Sequence, residues 1–390
     1  MSRPMLLPRR QLLGAALGLA AAGLAPGLVV ARRSPSTSMR VYEAGEGGDG
    51  QILRIARRAI PTPGPSEVLI RVHATGLNAR DLSLLRGVHI YGGANSPRRI
   101  PLDDNAGEVL ALGAGVTRVA VGDRVMCTHF PLWVDGPWDD ATMSKVDFGV
   151  NTDGFLAEQA LVSAQGLVKI PDSISYNDAA TLPNAGLTAW HAVVVDAKVQ
   201  AGESVLTLGT GGVSVFGLQW ARMLGARIAI TSSSDAKLER MRSLGADITV
   251  NYRSNPNWHQ EVIEKTGGRG VDVVLNTVGI SEMERCLQAC ASNGRVMLIG
   301  ANSVRRGAAA QGGAEFSGIK EFPRAMIMRG LTIKGVIVGS RRMLEALVSA
   351  AAARGVRPVI DRIFPFEQAA DAVRYMESGE KIGKIVIKVT

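Results

Sequence analysis

The chain has 390 residues, of which 46% are hydrophobic and 20% charged, a globular composition long enough for two domains. Its formal net charge is +9, but residues 1–38 hold five arginines and no acid, so the rest carries only +4. That remainder shows no basic stripe, which argues against a nucleic-acid partner, and three cysteines (Cys127, Cys286 and Cys290) exclude a disulfide scaffold.

Residues 1–38 are predicted to form a leader segment. Arg9 and Arg10 precede an uncharged run from Gln11 to Ala31 that is rich in Ala, Leu and Gly, as in a secretory signal. The arginine pair followed by Gln-Leu-Leu resembles a twin-arginine signal, which predicts an exported, periplasmic protein. Two alternatives stay open. Met39 is the true start and the protein is cytoplasmic, or the run is an uncleaved anchor, long enough to span a membrane.

Two different sequence patterns follow the leader. From Met39 to about Lys169 the pattern is β-rich, with alternation in EVLIRVHATGL and glycine turns in AGEVLALGAGVTRVAVGDRVMC. Residues 130–150 mix aromatic residues with Pro, Gly and Asp, which is typical of a loop. From about Val205, short apolar runs alternate with helix-compatible stretches (SVLTLG, RIAIT, DITVNY, VDVVLNTVG, RVMLIG, LTIKGVIV). That alternation predicts a parallel sheet with helices on both faces.

A glycine-rich turn joins the first of these strands to an apolar helix. Its residues are Gly209, Thr210, Gly211, Gly212, Val213 and Ser214. The first glycine permits a tight turn, the second lets the backbone approach a pyrophosphate, and the helix N-terminus offers N–H groups and a positive dipole end. Serine replaces the third glycine, whose task is helix–strand packing and which a small residue can take over. The turn predicts a dinucleotide site; the alternative is a turn with only a structural role.

The second strand of the alternating region bears on which dinucleotide is bound. An NAD site places Asp or Glu near its end to bind the ribose hydroxyls, whereas this chain has ITSSSDAK. Ser232 and Ser233 stand at the tip, and Lys237 follows one turn into the next helix. Hydroxyls and an ammonium in place of a carboxylate favour a 2′-phosphate, so the prediction is NADP(H). The alternative is that the serines cap the helix near Asp235, and both interpretations can hold together.

Several stretches together resemble the medium-chain dehydrogenase/reductase superfamily, in particular its zinc-free, quinone-oxidoreductase-like branch. They are GLNARDL (76–82), AGEVLALGAGVTRVAVGDRV (106–125), TLPNAGLTAWHAV (181–193), GTGGVS (209–214) and RGLTIKGVIVGS (329–340). The resemblance implies an α/β fold class. A GroES-like β-rich catalytic domain would span 39–169 and 340–390, and a Rossmann doubly wound parallel sheet would span 170–339. It also implies a homodimer or homotetramer acting on a small-molecule substrate.

The resemblance also locates where zinc members of the superfamily hold their catalytic metal. Those members use a Cys, a His-Glu pair and a second Cys or His, and the corresponding residues here are Asn78, Asp103-Asp104 and Asn184. Zinc prefers thiolate and imidazole ligands in a tetrahedral array, which carboxamides and aspartates do not supply. The five histidines (73, 89, 129, 191 and 259) show no ligand spacing. The chain is therefore predicted to bind no metal.

Without zinc, the expected chemistry is hydride transfer between NADPH and a small carbonyl, a quinone or a conjugated enone, with hydrogen-bond donors holding the developing oxyanion. Asn78 is the predicted donor, although a turn asparagine is the alternative. Asp104 is predicted to relay a proton, with an ion pair to Arg80 as its structural alternative. The competing functions are a non-catalytic NADPH-binding protein and a metal-dependent alcohol dehydrogenase.

The remaining candidates line the substrate pocket or the cofactor site. Asn105 and Asn184 are expected in the substrate cleft, and Trp133 is expected, with Trp138, to form its wall or else to pack the loop. The resemblance implies cofactor contacts by Thr188 at the nicotinamide, Tyr252 at the adenosine phosphate, Asn276 and Val278 at the ribose, and Gly300 and Val336 at the carboxamide. These positions agree with the rule that ligands bind outside the carboxyl ends of parallel strands.

Overall fold

The computed structural model describes residues 37–45, 52–86, 98–300 and 322–390. Residues 1–36 of the predicted leader, with its arginine pair, and His89 lie outside these ranges, whereas Ser38 already belongs to the first strand. Within them, no helix combines the length and apolarity needed to cross a bilayer.

Fifteen strands lie in the described ranges. In chain order they are β1 (Ser38–Ala44), β2 (Leu53–Ala59), β3 (Glu67–Leu77), β4 (Ala106–Leu112), β5 (Arg124–Cys127), β6 (Gln159–Ser163), β7 (Leu167–Lys169), β8 (Ser204–Thr207), β9 (Arg227–Ser232), β10 (Ile248–Asn251), β11 (Val271–Asn276), β12 (Cys290–Leu298), β13 (Thr332–Gly335), β14 (Ile360–Pro365) and β15 (Lys384–Lys388).

Eleven α-helices accompany them in the same ranges, and two π-helical turns, Leu182–Gly186 and His191–Asp196, flank the fourth. The helices are α1 (Ala79–Leu85), α2 (Asp140–Met143), α3 (Tyr176–Ala179), α4 (Leu187–Trp190), α5 (Gly212–Met223), α6 (Asp235–Ser243), α7 (Trp258–Lys265), α8 (Met283–Ala289), α9 (Phe322–Met328), α10 (Arg341–Arg354) and α11 (Ala369–Ser378).

Six strands form a parallel sheet in the order β10-β9-β8-β11-β12-β13. The middle of its central strands is apolar, because helices cover both faces of the sheet. Val205, Leu206, Val273 and Val274 are fully buried accordingly. The chain runs outward from β8 in one direction and from β11 in the other, so the strand order reverses between these two neighbours. A ligand site is expected at the carboxyl ends of strands at such a point.

The second large sheet has the order β14-β15-β3-β4-β5-β7, with β6 also paired to β3. Its C-terminal strand β15 lies antiparallel to β3, with Ile385 opposite Leu77 and Val386 opposite Gly76. The last residues of the chain thereby return to the β-rich domain formed by its first third. The fold class predicted from the sequence, a β-rich domain combined with a doubly wound parallel sheet, is confirmed.

The irregular segment 130–150 contains only the short helix α2. Its aromatic residues pack on one another: the ring centroids of Trp133 and Trp138 lie 5.1 Å apart, and those of Phe130 and Trp138 lie 4.8 Å apart. Trp133 is buried and its indole N–H donates to the Gly136 carbonyl at 3.0 Å. The loop is therefore packed through its aromatic side chains.

Candidate active site

A cavity of about 1410 Å³ opens at the carboxyl ends of the parallel strands and is also lined by residues of the β-rich domain. Twelve of the predicted site residues line it: Asn78, Trp133, Asn184, Thr188, Gly209, Gly211, Gly212, Val213, Tyr252, Val278, Gly300 and Val336. The other six do not belong to its lining: Asp104, Asn105, Ser232, Ser233, Lys237 and Asn276. The glycine turn, Asn78 and Asn184 therefore line the same cavity.

The glycine turn has the geometry of an anion-binding loop. Gly209 has φ +73°, a backbone conformation that favours glycine. A Cβ on Gly212 would lie 2.9 Å from the Lys384 Cδ, so this glycine makes room for a lysine stem. Ser214 donates its hydroxyl to the Leu208 carbonyl at 2.7 Å and so ties the start of α5 to the preceding strand. Gly212, Val213 and Ser214 begin α5 and line the cavity, and the first N–H groups of a helix have no intrahelical partners.

The rim at the end of β9 differs from the prediction in two respects. The serine that caps α6 is Ser234, which accepts from the Lys237 N–H, whereas Ser232 and Ser233 precede the cap. The Lys237 ammonium donates to the backbone carbonyls of Gly379 at 2.5 Å and Lys381 at 3.3 Å. The structure therefore does not support the expectation that Lys237 offers its charge to a 2′-phosphate, because the C-terminal segment binds two of its three ammonium hydrogens.

Tyr252 and Asn276, two other predicted cofactor contacts, differ in their exposure to the cavity. Tyr252 is 43% exposed and lines the cavity near the end of β10. Asn276 is fully buried, and its carboxamide accepts from the Val278 and Gly279 N–H groups and donates to the Gly279 carbonyl. Asn276 therefore shapes the turn after β11, and the prediction that its side chain meets the ribose is not supported.

Asn78 lies at the centre of a buried polar cluster. Its Nδ2 donates to the Asp103 Oδ1 at 2.8 Å and to the Asp104 Oδ2 at 2.9 Å, and its Oδ1 accepts from the Lys384 Nζ at 2.6 Å. A carboxamide has two N–H hydrogens, and both are used here. The prediction that Asn78 donates to a substrate oxygen is therefore wrong: this residue, the N-cap of α1, organises the cluster.

Asp104 is paired with a lysine that the sequence did not suggest. The Lys384 Nζ lies 2.7 Å from the Asp104 Oδ2 and also donates to the Leu77 carbonyl at 2.8 Å. Burial raises the pKa of Asp104, although the Lys384 ammonium works in the opposite direction. Arg80, the expected partner, instead pairs with Asp103 and Asp147. Because Asp104 is fully buried behind the wall of the cavity, a proton relay through it to substrate is not supported.

Asn105 has a structural task. Its Oδ1 accepts from the Cys127 N–H at 2.7 Å and its Nδ2 donates to the Cys127 carbonyl at 2.9 Å. The side chain is fully buried and fastens the start of β4 to the end of β5. The expectation that it lines the substrate cleft is therefore wrong, since both ends of its carboxamide bind backbone.

His129 is a member of the cluster that sequence reasoning missed. Its Nδ1 lies 2.5 Å from the Asp103 Oδ2, and its Nε2 lies 3.2 Å from the Asp147 Oδ1. Burial and the nearby Arg80 oppose its protonation, but the two carboxylates outweigh them and raise the pKa of His129. Burial likewise opposes ionisation of Asp103, yet its partners, His129 first, hold the pKa of that carboxyl below its usual range.

The side-chain carboxamide of Asn184 is the polar group at the cavity that can bind a substrate. It lies on the first π-helical turn, a feature common at functional sites, and is 8% exposed. Its backbone N–H donates to the Asp104 Oδ1 at 2.9 Å, and its Nδ2 donates to Asp103. Among the described residues, its second amide hydrogen and its Oδ1 have no partner. One turn later, Thr188 donates to the Asn184 carbonyl at 2.8 Å and lines the same cavity.

Two family models match the chain. One describes an alcohol dehydrogenase GroES-like domain and covers residues 64–172, and the other describes a zinc-binding dehydrogenase and covers residues 244–387. A zinc-type alcohol dehydrogenase-like protein of Schizosaccharomyces pombe is 35% identical over 331 residues, which are 83% of this chain and 91% of the relative.

Solved structures agree with this picture. An NAD-dependent alcohol dehydrogenase is 31% identical, with a TM-score of 0.77 over 90% of this chain and 100% of that one. A cobalt- and zinc-bound thermostable alcohol dehydrogenase from Pyrobaculum aerophilum is 27% identical, with a TM-score of 0.75 over 90% of this chain and 100% of that one. These relatives raise the question of whether the present site fits zinc.

The residues at the corresponding positions do not fit a zinc ion. Asn78, Asp103, Asp104 and Asn184 are hydrogen-bonded to one another, and the Lys384 ammonium lies among them. In the described part of the chain, no group of three or more His, Cys, Asp and Glu side chains is arranged to hold a metal. A dinucleotide, by contrast, fits the glycine turn and the start of α5, both of which line the cavity.

Proposed function

Because this chain belongs to the alcohol-dehydrogenase-like medium-chain dehydrogenase/reductase superfamily, we propose that it transfers hydride, without zinc, between NADPH and a small carbonyl compound, quinone or conjugated enone. The chain is an oxidoreductase of a superfamily that binds a nicotinamide cofactor. Cofactor preference, independence from metal and the substrate class are the finer parts of the proposal. Each is supported by separate residues.

The preference for NADPH is supported by the end of β9. Thr231 lines the cavity there, and Ser232 and Ser233 follow it, so no carboxylate stands where NAD enzymes bind the ribose. Asp235, the nearest acid along the chain, accepts from the Asn251 carboxamide at 2.9 Å. Hydroxyl groups at this tip accommodate a 2′-phosphate without charge repulsion. One similar structure is that of an NAD-dependent enzyme, so the preference needs a direct measurement.

Independence from zinc is supported by the buried cluster. A metal at this position would have to displace the Lys384 ammonium, whose three acceptors are the Leu77 carbonyl, Asn78 and Asp104. It would then find carboxamides in two of its ligand positions, which are poor donors for zinc. The cluster is internally neutralised by side chains of this chain.

The observation that carries the proposal is the free carboxamide hydrogen of Asn184 in a cavity that also holds the glycine turn. The nicotinamide cofactor supplies the hydride when it is bound. The glycine turn and the N-terminal end of α5 bind its pyrophosphate, and Thr188, which donates to the Asn184 carbonyl, lines the same cavity together with Val213 and Val336. Trp133 and its neighbouring aromatic residues exclude water from the substrate. Asn184 donates a hydrogen bond from its remaining N–H to the substrate oxygen as negative charge develops there, and a proton from solvent completes the reduction after the hydride has been transferred.

The first experiment measures oxidation of NADPH and NADH against quinones, enones and aldehydes, before and after chelation of metals. We expect turnover that survives chelation and favours NADPH by about 2–10-fold, the effect of a neutral hydrogen bond from a hydroxyl group. Binding of cofactor with no turnover of any substrate would instead indicate a non-catalytic NADPH-binding protein. Stoichiometric zinc, lost together with activity, would indicate a metal-dependent alcohol dehydrogenase. Equal or better use of NADH would refute the cofactor preference.

Replacement of Asn184 by alanine tests the donor. We expect kcat to fall by about 10²–10³-fold, the usual effect of removing one oxyanion donor, with an unchanged Kd for NADPH. Asn105→Ala serves as the matched control, because that carboxamide binds only backbone and is expected to lower stability without a specific loss of kcat in the folded fraction. A kcat for Asn184→Ala within a factor of about three of wild type would remove the residue from the mechanism.

Two further parts of the proposal concern assembly and export. A homodimer or homotetramer is proposed from the resemblance to the superfamily, and light scattering of the purified protein measures it. Export is proposed from the arginine pair of the leader, Arg9 and Arg10. N-terminal sequencing of periplasmic material that begins near residue 32 would support it, whereas a cytoplasmic protein that begins at Met39 would contradict it.

A further inference from the structure

The segment from Gly379 to Lys384 folds over the glycine turn. The Gly383 N–H donates to the Thr210 carbonyl at 2.9 Å, and Gly211 and Gly383 form an isolated parallel bridge. The C-terminal segment therefore forms part of the wall of the cavity at the point where a dinucleotide pyrophosphate would approach the backbone. It also brings lysine side chains to this point from far along the sequence.

Three lysines meet here, and two of them already have strong partners. The Lys384 ammonium is paired with Asp104, and the Lys237 ammonium binds two backbone carbonyls. Lys381 differs from both. Its Nζ donates to the Gly383 carbonyl at 3.1 Å, and among the described residues no carboxylate lies within ion-pair distance of it. Two of its three N–H hydrogens therefore remain available to a ligand.

The position of Lys381 indicates what that ligand is. Its Nζ would lie 3.9 Å from a Cβ built on Gly211, beside the free N–H groups at the start of α5, and its side chain lines the cavity. A helix N-terminus and an ammonium without a carboxylate partner together favour a phosphate group. We propose that Lys381 binds the pyrophosphate of the dinucleotide and takes up a proton when the cofactor binds. This inference rests on the proposed function only in that a nicotinamide dinucleotide enters this cavity.

The charges around Lys381 determine whether this lysine gains a proton when the cofactor binds. Partial burial lowers the pKa of Lys381 to about 8, and the neighbouring Lys384 and Lys237 act in the same sense, against the weaker influence of Asp361. Asp361 is itself held by the Tyr375 hydroxyl and the Ile382 N–H. A bound pyrophosphate favours the charged ammonium and so raises this pKa. Below pH 8 the lysine is ready for the ligand, and above it protonation must accompany binding.

The expected pH dependence follows from this linkage. In the wild-type protein, affinity for cofactor is constant below about pH 8 and falls above it by up to about tenfold per pH unit, until the pKa of the complex is reached. Calorimetry near pH 9 in buffers of different ionisation enthalpy should detect uptake of a fraction of one proton on binding. Fluorescence titration of NADPH and NADH from about pH 6 to about pH 10 measures the affinity itself.

Two variants separate a phosphate contact from a structural role. Lys381→Met should weaken binding of NADPH and NADH at pH 7 by the same factor, about 10–100-fold, and remove the fall above pH 8. Lys381→Arg should bind within a few-fold of wild type with no fall above pH 8, because arginine does not titrate in this range. Lys388→Met, which replaces an exposed lysine at the far end of β15, is the control and should leave affinity and pH profile unchanged.

Several outcomes would overturn the inference. They are a wild-type affinity that does not change between pH 7 and pH 10, absence of proton uptake, or a Lys381→Met variant that binds both cofactors normally. Weakened binding of NADPH alone would move the contact to the 2′-phosphate and also overturn the assignment to pyrophosphate. The proposed function fails by different results, namely a preference for NADH or absence of turnover, and neither changes the comparison of Lys381 variants.

Discussion

Replacement of Lys384 by methionine is expected to destabilise the protein by about 3–5 kcal/mol, the usual effect of leaving one member of a buried ion pair alone. The side chain is 2% exposed, and its ammonium lies 2.7 Å from the fully buried carboxylate of Asp104. Methionine keeps most of the aliphatic volume, so loss of packing contributes little. Asp104 would keep hydrogen bonds from the Asn78 Nδ2 and the Asn184 N–H but lose the one cation with which it forms an ion pair among the described residues.

A double-mutant cycle with Asp104→Asn isolates the ion pair. The double variant removes both charges, so we expect it to be about 2 kcal/mol more stable than the sum of the single effects predicts. Urea unfolding followed by fluorescence measures this energy, provided that the slope with denaturant is the same for all four proteins. A loss below about 1 kcal/mol in Lys384→Met would show that the pair behaves as an exposed one.

The stability lost in the Lys384→Met variant is expected to depend on pH. Burial raises the pKa of Asp104 in the folded protein, and loss of the Lys384 ammonium raises it further. A carboxyl with a higher pKa in the folded state binds more protons there than in the unfolded state, so stability falls as pH rises. The deficit of Lys384→Met should therefore be larger at pH 8 than at pH 5. A deficit that grows toward acid would refute the reasoning.

Three other substitutions have defined outcomes. Burial opposes ionisation of Asp272, but the partners of its carboxylate, Arg269 first, hold its pKa at about 2. Asp272→Asn should therefore remove about 1–2 kcal/mol of stability, which the wild-type protein loses between about pH 4 and pH 2. Acid unfolding of both proteins measures this difference. A Cβ on Gly300 would lie 2.3 Å from the Thr277 backbone, so Gly300→Ala should lower stability in thermal unfolding by about 1–3 kcal/mol. Trp133→Ala should lose about 3–5 kcal/mol in urea unfolding, and its KM for substrate should rise in the folded fraction.

The fold was predictable because its signals are local. The runs that form β8, β9 and β11 are apolar and β-branched, and helix-compatible stretches separate most of them, so the sequence alone indicates a parallel sheet. The glycine turn is equally local, and its residues line the cavity as expected. The serine at position 214 keeps this turn intact because its hydroxyl binds the preceding strand.

The site was less predictable because the residues that contact one another in it are distant in sequence. Asn78 and Lys384 are separated by 306 residues, and only the tertiary fold brings them together. Alternation along β15 places Lys384 and Lys388 on one face and the isoleucines on the other, which suggests two exposed lysines. The structure buries the first and exposes the second. The strand begins beside the cluster and ends at the surface, a difference that the pattern does not encode.

Lys237 was misjudged for a related reason. Local reasoning places its ammonium one turn beyond the tip of β9, near the ribose, and treats that space as solvent. The carbonyls of Gly379 and Lys381 lie there instead and bind it. Backbone carbonyls can occupy the hydrogens of an ammonium before a ligand arrives, so the fold of the C-terminal segment decides which lysine has hydrogens available for ligand. The candidate for that task is Lys381.

The buried cluster also connects stability to chemistry. A buried ion pair is seldom more stabilising than apolar residues of the same volume, so stability alone does not explain why Asp104 and Lys384 are charged. Their geometry offers a reason: Asp104 accepts from the Asn184 N–H and so fixes the π-helical turn, while Lys384 fixes Asn78 against the same carboxylates. The Asp104→Asn, Lys384→Met double variant should then regain stability yet lose kcat, because the Asn184 backbone N–H loses its charged acceptor and the π-helical turn that carries this residue is held less firmly. A double variant with wild-type kcat would show that the cluster serves only the fold.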